Sequence, residues 1–390
     1  MTKDKEILYY ACVDLSIANA CPLHVLGIVN GLATLGYKVT VILPKPMKEI
    51  HSPFFRTSPN LNYIFHYSPI LRPRFLGALF AILPIFKALI KKRPQFFYLR
   101  MSLLSFILLL IARVMKVRTI TEHNGWVQEE MRMLSVPSFF AYLGRLVQLL
   151  DCKLAYQVLL VTEGLKNQLV RCGIPENKCM VVENGTDIHQ FKPIDRMQAL
   201  SFLGLNPDYF YLGFIGALTK WQGLDLTLEC LYEVSRQNDN IRLIIGGDGP
   251  ERNSLEQKSK KLGIEDKVYF LGVVELKNAN MVINCFDIAL SNSTAELNNT
   301  IGVSKLKIRD YASAGRAIIA SGVPGNIELA NQAILVTHTP GNLEDLVNHV
   351  LILFKQPKLL KKYQEASRNY AKQHFSWEKK CLEIVSKKDS

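Results

Sequence analysis

The residues with the clearest chemical potential lie between Gly302 and Ser321, in the stretch GVSKLKIRDYASAGRAIIAS. It divides into a loop, a helix, a glycine stop and a strand. Ser304 is the expected N-cap, its hydroxyl accepting from a free N–H of the first turn. Ile308, Tyr311 and Ala312 recur at helical spacing and form one apolar face. Gly315 suits the left-handed position that ends a helix, and AIIAS reads as a short buried strand. A loop, a helix N-terminus and a following strand together make an anion site, because the first N–H groups are unpaired and the helix dipole favours negative charge there. A nucleotide diphosphate is the expected guest. Asp310 lies inside the helix, where Asp is a poor helix former and cannot cap. Two readings of it stand side by side. One is a solvated carboxylate paired with Lys307, worth at most about 0.5 kcal/mol. The other is a carboxylate whose two acceptor oxygens grip the vicinal hydroxyls of a ribose.

SKLKIRDYASAGRAIIAS resembles the SPLKLFEYMACGRPVIAS segment of retaining glycosyltransferases with two Rossmann-like domains, the GT-B type of glycosyltransferase group 1 and family 4. The resemblance implies that Asp310, one methylene shorter than the usual Glu, holds the nucleotide ribose, and that the backbone at Ser304 and Leu306 binds the diphosphate. Lys305 replaces the usual Pro. Gly302 stands where many members carry an acid that contacts the donor sugar, and Glu296 is the nearest replacement. GGDGPE (246–251) matches the family's IVGDGPER, and its glycines, Gly247 and Gly249, allow close backbone approach to a ligand. MVVENGTDIHQFKP (180–193) resembles VVPNGVDLERFRP, and HFSWEKK resembles the closing FSWE.

The family also carries a basic pair, GRL…KG, in the loop that starts here at Gly216. A departing nucleotide diphosphate gains negative charge as the glycosidic bond breaks, so cations are needed there. Ala217 and Gln222 occupy the two basic places. Lys220 is the substitute expected in the loop itself, with Lys305 supplying the second charge. FYLR…RTITEHNGWVQEEM resembles YERYS…VLEVNAPLAEE. In many relatives a His at or next to position 123 contacts the donor sugar, which makes His123 a catalytic candidate with Asn124 beside it. A His at the carboxyl end of a strand also sits where open parallel sheets bind ligands. Ala20 stands in a loop where small residues are expected to contact donor or acceptor.

The elements that must position these residues follow a regular order. Strand signals alternate with helical ones along the chain, which argues for parallel sheets covered on both faces. A chain of 390 residues holds two domains of ordinary size. The expected fold is α/β, with two facing Rossmann-like domains and a cleft between them. Residues 1–190 form the acceptor-side domain and 191–374 the nucleotide-sugar domain, with a last helix at about 375–390 crossing back onto the first. The loop after the first strand lacks a GxGxxG pattern, which weakens a nicotinamide dehydrogenase reading.

Composition narrows the setting. The eight cysteines are scattered without a CxxC pair or a His cluster, so a zinc site or a disulfide framework is not expected and a reducing cytosol is. Residues 1–200 carry 24 Lys and Arg against 13 Asp and Glu, a net +11 out of the chain's +13. No acid occurs between Glu49 and Glu122, where 11 Lys or Arg do. One domain therefore faces an anionic partner. Two apolar runs, 75–86 and 103–112, are shorter than the roughly 18–20 residues that span a bilayer. The first, ending in Lys87, Lys91, Lys92 and Arg93, reads either as an interfacial helix among lipid phosphates or as a buried helix with a solvated basic end. The second reads as a core helix. No stacking platform for nucleic acid is present.

The resemblance, with these features, leads us to expect a retaining glycosyltransferase that moves a sugar from a nucleotide-sugar to a glycan or lipid-linked acceptor in cell-surface polysaccharide or glycolipid assembly. It is expected to need no cofactor or metal ion, to bind an anionic membrane surface through 70–118, and to work in the cytoplasm at the inner membrane face. Retention is implied by the resemblance alone. A nucleotide-sugar epimerase on the same fold and a non-catalytic nucleotide-sugar-binding partner of a transferase are the competing expectations.

Overall fold

The computed structural model describes residues 5–17, 20–67, 77–133, 136–294 and 301–386. The chain divides into two compact units, Met1–Gly185 with Trp377–Ser390, and Thr186–Ser376. Each unit is built on one sheet. Among the described residues the thirteen strands pair in parallel throughout, in two sheets of seven and six.

The first unit holds β1 (Glu6–Tyr10), β2 (Lys38–Pro44), β3 (Leu61–His66), β4 (Phe96–Arg100), β5 (Thr119–His123), β6 (Gln157–Leu160) and β7 (Cys179–Val181). They lie in the order β3-β2-β1-β4-β5-β6-β7. The second unit holds β8 (Phe210–Ile215), β9 (Ile241–Gly246), β10 (Val268–Gly272), β11 (Ile288–Ser291), β12 (Ala317–Ser321) and β13 (Val336–His338), ordered β10-β9-β8-β11-β12-β13. In both sheets the chain winds outward one way from the first strand and then returns to its other side. Both are therefore Rossmann-like, with the reversal between β1 and β4 and between β8 and β11. The central strands bury both faces, which is why β4 reads FFYLR and β9 IRLIIG as near-continuous apolar runs.

The first unit is closed by a helix that follows the second unit in sequence. Helix 377–386 lies against helix 20–34, and the seam is written in glycines. A Cβ on Gly27 would stand 2.1 Å from Trp377 Cε2, and one on Gly31 would stand 2.7 Å from Cys381 Sγ. Nothing larger than glycine admits the indole at that distance.

Helices 77–92, 105–114 and 138–154 pack side by side on the first unit. Ala78, Ala81, Ile85, Ala88 and Leu89 face inward against Leu108 and Ala112. The outward faces remain apolar: Leu83 is 60% exposed, Val114 82% and Phe139 67%, with Phe80, Ile90, Leu143 and Leu146 also exposed. Helices 77–92 and 105–114 contain no acid, and the only acid of 138–154, Asp151, is buried. No helix among the described residues is long and apolar enough to cross a membrane.

Asp151 joins two of these helices. Ser105 Oγ lies 2.5 Å from Asp151 Oδ2 and 2.5 Å from the Ser102 carbonyl oxygen. The Ser105 hydroxyl is the donor within reach of both oxygens and serves one of them at a time. Burial pushes the Asp151 carboxyl up to about 7, with the Ser105 hydrogen bond opposing. A folded-state pKa above the unfolded one means stability that is fully present below about pH 4 and lost as pH rises through 7. Asp151→Asn keeps the neutral form and is expected to raise stability at pH 8 by roughly 2–4 kcal/mol while changing little at pH 4. Urea unfolding of both proteins across this range checks it; parallel pH profiles would sink the assignment.

Candidate active site

In the second unit the loops beyond β8 and β11 lie at the reversal of strand order, where open α/β sheets bind ligands. The loop after β8 is clasped by the loop after β9. Gly216 N donates to the Gly246 carbonyl at 2.9 Å, Gly247 N to that of Gly272 at 2.6 Å and Leu218 N to that of Asp248 at 3.0 Å. Gly247 has a φ of +128°, and a Cβ there would stand 1.9 Å from the Gly216 oxygen; one on Gly249 would stand 2.4 Å from the Leu218 oxygen. The close approach that these glycines permit is thus to the neighbouring loop.

Helix 306–313 enters from the other side. Its N-cap is Lys305, with φ −74° and ψ 123° and no side-chain cap bond, one residue later than the expected Ser304. Gly315 ends the segment at φ +67°, as its position suggests. One contact ties the helix to the sheet and another braces its first turn. Ile215 N donates to the Tyr311 hydroxyl at 2.9 Å, and Arg309, fully buried over the Phe375 ring, donates to the Lys305 carbonyl at 3.0 Å.

Three charged side chains emerge here. Lys305 donates to Ser293 Oγ, whose own N–H is fixed by Ser321 Oγ at 2.8 Å. Lys307 lies 3.8 Å from the centre of the Phe214 ring and donates to Gln222 Oε1 at 3.0 Å. Asp310, one turn on, accepts from Thr186 Oγ1 at 2.6 Å. Neither lysine has an ion-pair partner among the described residues. Burial pulls Lys305 down to about 8, and burial together with the Lys305 charge pulls Lys307 well below the usual lysine range. Burial pushes the Asp310 carboxyl up to about 7, against the Thr186 hydrogen bond. Two cations without a carboxylate are an electrostatic vacancy for an anion.

Lys220 is exposed on the turn Lys220–Gln222, and its ammonium makes no bond among the described residues. The cation that reaches the vacated basic places is Lys307. It bonds Gln222, and its ammonium lies 2.8 Å from where a Gly216 Cβ would be, next to Ala217. Sequence reading assigned Lys307 only a helix-surface pair. The available signal was the exchange itself, two bases lost from one loop and lysines at 305 and 307 in the other. Ser304 is partly buried just before the cap, and Leu306 is the first helical residue. Glu296 lies outside the described residues.

The first unit has a second polar centre at the end of β5. Glu122, 1% exposed, accepts from Tyr98 at 2.6 Å and from Asn124, meets His24 Nε2 at 2.7 Å, and lies 3.5 Å from Arg100 Nη1. His24 Nδ1 lies 2.8 Å from Asn184 Oδ1. Both ring nitrogens thus face oxygens. Burial alone would raise the Glu122 pKa, but the His24 and Arg100 charges and the Tyr98 hydroxyl hold it well below the usual carboxylate range. His123 points to the opposite face of the strand. Its ring is buried, 3.4 Å from Cys152 Sγ, Thr121 Oγ1 and Gln148 Nε2, and burial pulls it down to about 4. Asn124 is held by Glu122, and Ala20 is the exposed first residue of helix 20–34. Among the described residues no three His, Cys, Asp or Glu side chains are grouped as metal ligands.

Comparison with known proteins agrees with this architecture. Residues 23–190 match the family model "Glycosyltransferase Family 4", and residues 209–356 match "Glycosyl transferases group 1". The chain is 28% identical over 160 residues to a component of the phosphatidylinositol N-acetylglucosaminyltransferase of Arabidopsis thaliana, covering 41% of this chain and 33% of that one. It is 27% identical over 180 residues to an uncharacterized glycosyltransferase of Methanocaldococcus jannaschii, covering 44% of each. The chain thus spans less than half the length of these two relatives. Anabaena HepE in complex with UDP superposes with a TM-score of 0.75 at 17% identity, over 98% of this chain and 99% of that one. With a family 4 domain followed by a group 1 domain on two Rossmann-like units, the chain belongs to the GT-B glycosyltransferases.

Proposed function

We propose that the chain transfers a hexosyl group from a nucleotide-sugar to a glycan or lipid-linked acceptor, with retention of anomeric configuration and without a metal ion. The observation that carries this reading is the pair Lys305 and Lys307, two partly buried cations without a carboxylate, one turn from Asp310. The lysines and the N–H groups near Ser304 and Leu306 receive the diphosphate, and Asp310 exchanges Thr186 for the ribose hydroxyls. Lys220, exposed on the loop after β8, supplies a further charge from solvent. Charge that develops on the leaving phosphate is met by groups already in place. Among the described residues neither lysine has a carboxylate at ion-pair distance, so we assign deprotonation of the acceptor to the departing phosphate on the same face of the sugar. The C1–O bond to phosphate breaks, the C1–O bond to the acceptor forms, and the acceptor proton passes to the phosphate oxygen. His123 positions the end of β5 through Gln148 and Cys152.

Two named relatives support the choice of substrates: HepE was crystallised with UDP, and the Arabidopsis protein belongs to a phosphatidylinositol N-acetylglucosaminyltransferase. A panel of nucleotide-sugars with EDTA present tests the reading. Release of nucleotide from one of them is expected, and an α-linked donor should give an α-linked product by proton NMR. Failure to bind any nucleotide-sugar would end it. Conversion of the donor without an acceptor would favour an epimerase. Tight binding without release would favour a non-catalytic partner, a reading that the bare Ala217 and Gly302 positions keep open.

We further propose that helices 77–92, 105–114 and 138–154 rest on an anionic membrane, in a peripheral enzyme at the cytoplasmic face. Their outward side chains are apolar and their exposed charges, Lys87, Lys91, Lys92, Arg113 and Lys153, are all positive. Apolar groups enter the acyl boundary while each cation near anionic lipid contributes roughly 1 kcal/mol. The protein should float with phosphatidylglycerol vesicles and not with phosphatidylcholine ones, and Leu83→Glu should reduce the floated fraction severalfold. Equal recovery with both lipids at low salt would refute it.

A further inference from the structure

We propose that the first unit holds a phosphate-binding site of its own, in which Arg100 takes the anionic group of the acceptor. This rests on the glycosyltransferase reading above and narrows the acceptor to a phosphorylated one. Arg100 is the last residue of β4, the strand paired with β1 across the reversal of the first sheet. The corresponding place in the second sheet holds the lysines. A ligand of the first unit is therefore expected beyond these strand ends.

The guanidinium is under-used. It has five N–H donors in a planar fork. Among the described residues its polar contacts are Glu122 Oε1 at 3.5 Å and Cys21 Sγ at 3.8 Å, both long. Glu122 is not free to draw it closer, since its oxygens already receive Tyr98, Asn124 and His24. Glu130 feels the Arg100 charge but lies outside ion-pair distance. The Arg100 side chain is 15% exposed, so it is mostly desolvated yet reachable. A buried fork with spare donors matches two phosphate oxygens at once, a geometry that neither a neutral polyol nor a lone lysine reproduces. The phosphate can belong to a lipid headgroup or to a soluble phosphorylated polyol, and the chemistry at Arg100 is the same.

Calorimetric titration of the full-length protein separates these sources. One arm uses glycerol 3-phosphate with glycerol as its uncharged twin. The other uses dihexanoyl phosphatidylglycerol, kept monomeric, with dihexanoyl phosphatidylcholine. At least one phosphate probe should bind more tightly than its twin, and Arg100→Gln should weaken it by roughly 10-fold or more, with Arg100→Lys in between. The arm that shows the effect names the source. UDP affinity of both variants should match the wild type, which excludes a folding defect, while the melting temperature should fall more for Arg100→Gln than for Arg100→Lys because Arg100 also faces Glu122. If neither phosphate probe binds, if the uncharged twins bind as well, or if both variants keep wild-type affinity in both arms, the site does not exist. A wild-type protein that binds glycerol 3-phosphate but no nucleotide-sugar would sink the transferase reading and leave Arg100 standing.

Discussion

Lys307→Met should lower kcat/KM for the nucleotide-sugar by roughly 100- to 1,000-fold, the loss that follows removal of one preorganised charge partner of a transition state. The ammonium stands beside both places where the family's loop bases are missing, against Gln222 and under Gly216. Most of the loss should fall on kcat, because the diphosphate carries more charge when leaving than when bound. Methionine preserves the stem that lies against Phe214, so the melting temperature should hold or rise as a desolvated charge disappears. Lys220→Met, at the exposed turn, should change the rate much less. Steady-state nucleotide release measures both. A Lys307 variant within threefold of wild type, or a larger effect at Lys220, would return the role to the loop lysine. The pH profile adds a check. Lys305 is held down to about 8 by burial, so donor affinity of the free enzyme should fall as pH rises through 8 and the charge is lost.

Glu122→Ala is expected to destabilise the protein by about 3–5 kcal/mol, since it strands buried partners that were satisfied together. Tyr98, His24 and Asn124 would lose their acceptor at once, and none of them is exposed enough for water to replace it fully. Glu122→Gln keeps one acceptor oxygen and should cost less. The carboxyl is held well below its unfolded range, so its contribution is whole above about pH 4 and is lost progressively as pH falls on through the depressed folded value. Urea unfolding from pH 7 downward reads this directly: the gap between the wild type and Glu122→Ala should be nearly unchanged at about pH 5 and should narrow steadily below about pH 4. A difference below 1 kcal/mol at pH 7 would show that the charges are solvated after all.

Much of the fold was legible because it rests on local rules. β9 and β12 announce themselves as apolar runs, Gly315 as a helix stop, and alternation of strand and helix as a parallel sheet. The charge asymmetry pointed to the unit that carries the exposed apolar helices. The site was legible only in part. Asp310 could be singled out because Asp is out of place inside a helix, but Lys307 looks ordinary, and its importance depends on which way helix 306–313 faces. His24, Glu122 and Asn184 form one cluster from three distant positions, and no spacing rule connects them. His123 drew attention by standing at a strand end. Strand alternation turned it to the helix side and gave Glu122 the polar side.

The seam between Gly27 and Trp377 has a consequence for biosynthesis. The first unit is discontinuous, and its covering helix is synthesised only after the whole second unit. Nascent N-terminal halves must wait with a tryptophan-sized slot open while the whole second unit is translated, a delay of roughly 10–40 s at 5–20 residues per second. Chaperone engagement should therefore concentrate on that interval, and release of a chain stalled before residue 377 should yield an aggregation-prone fragment whose second unit alone is complete.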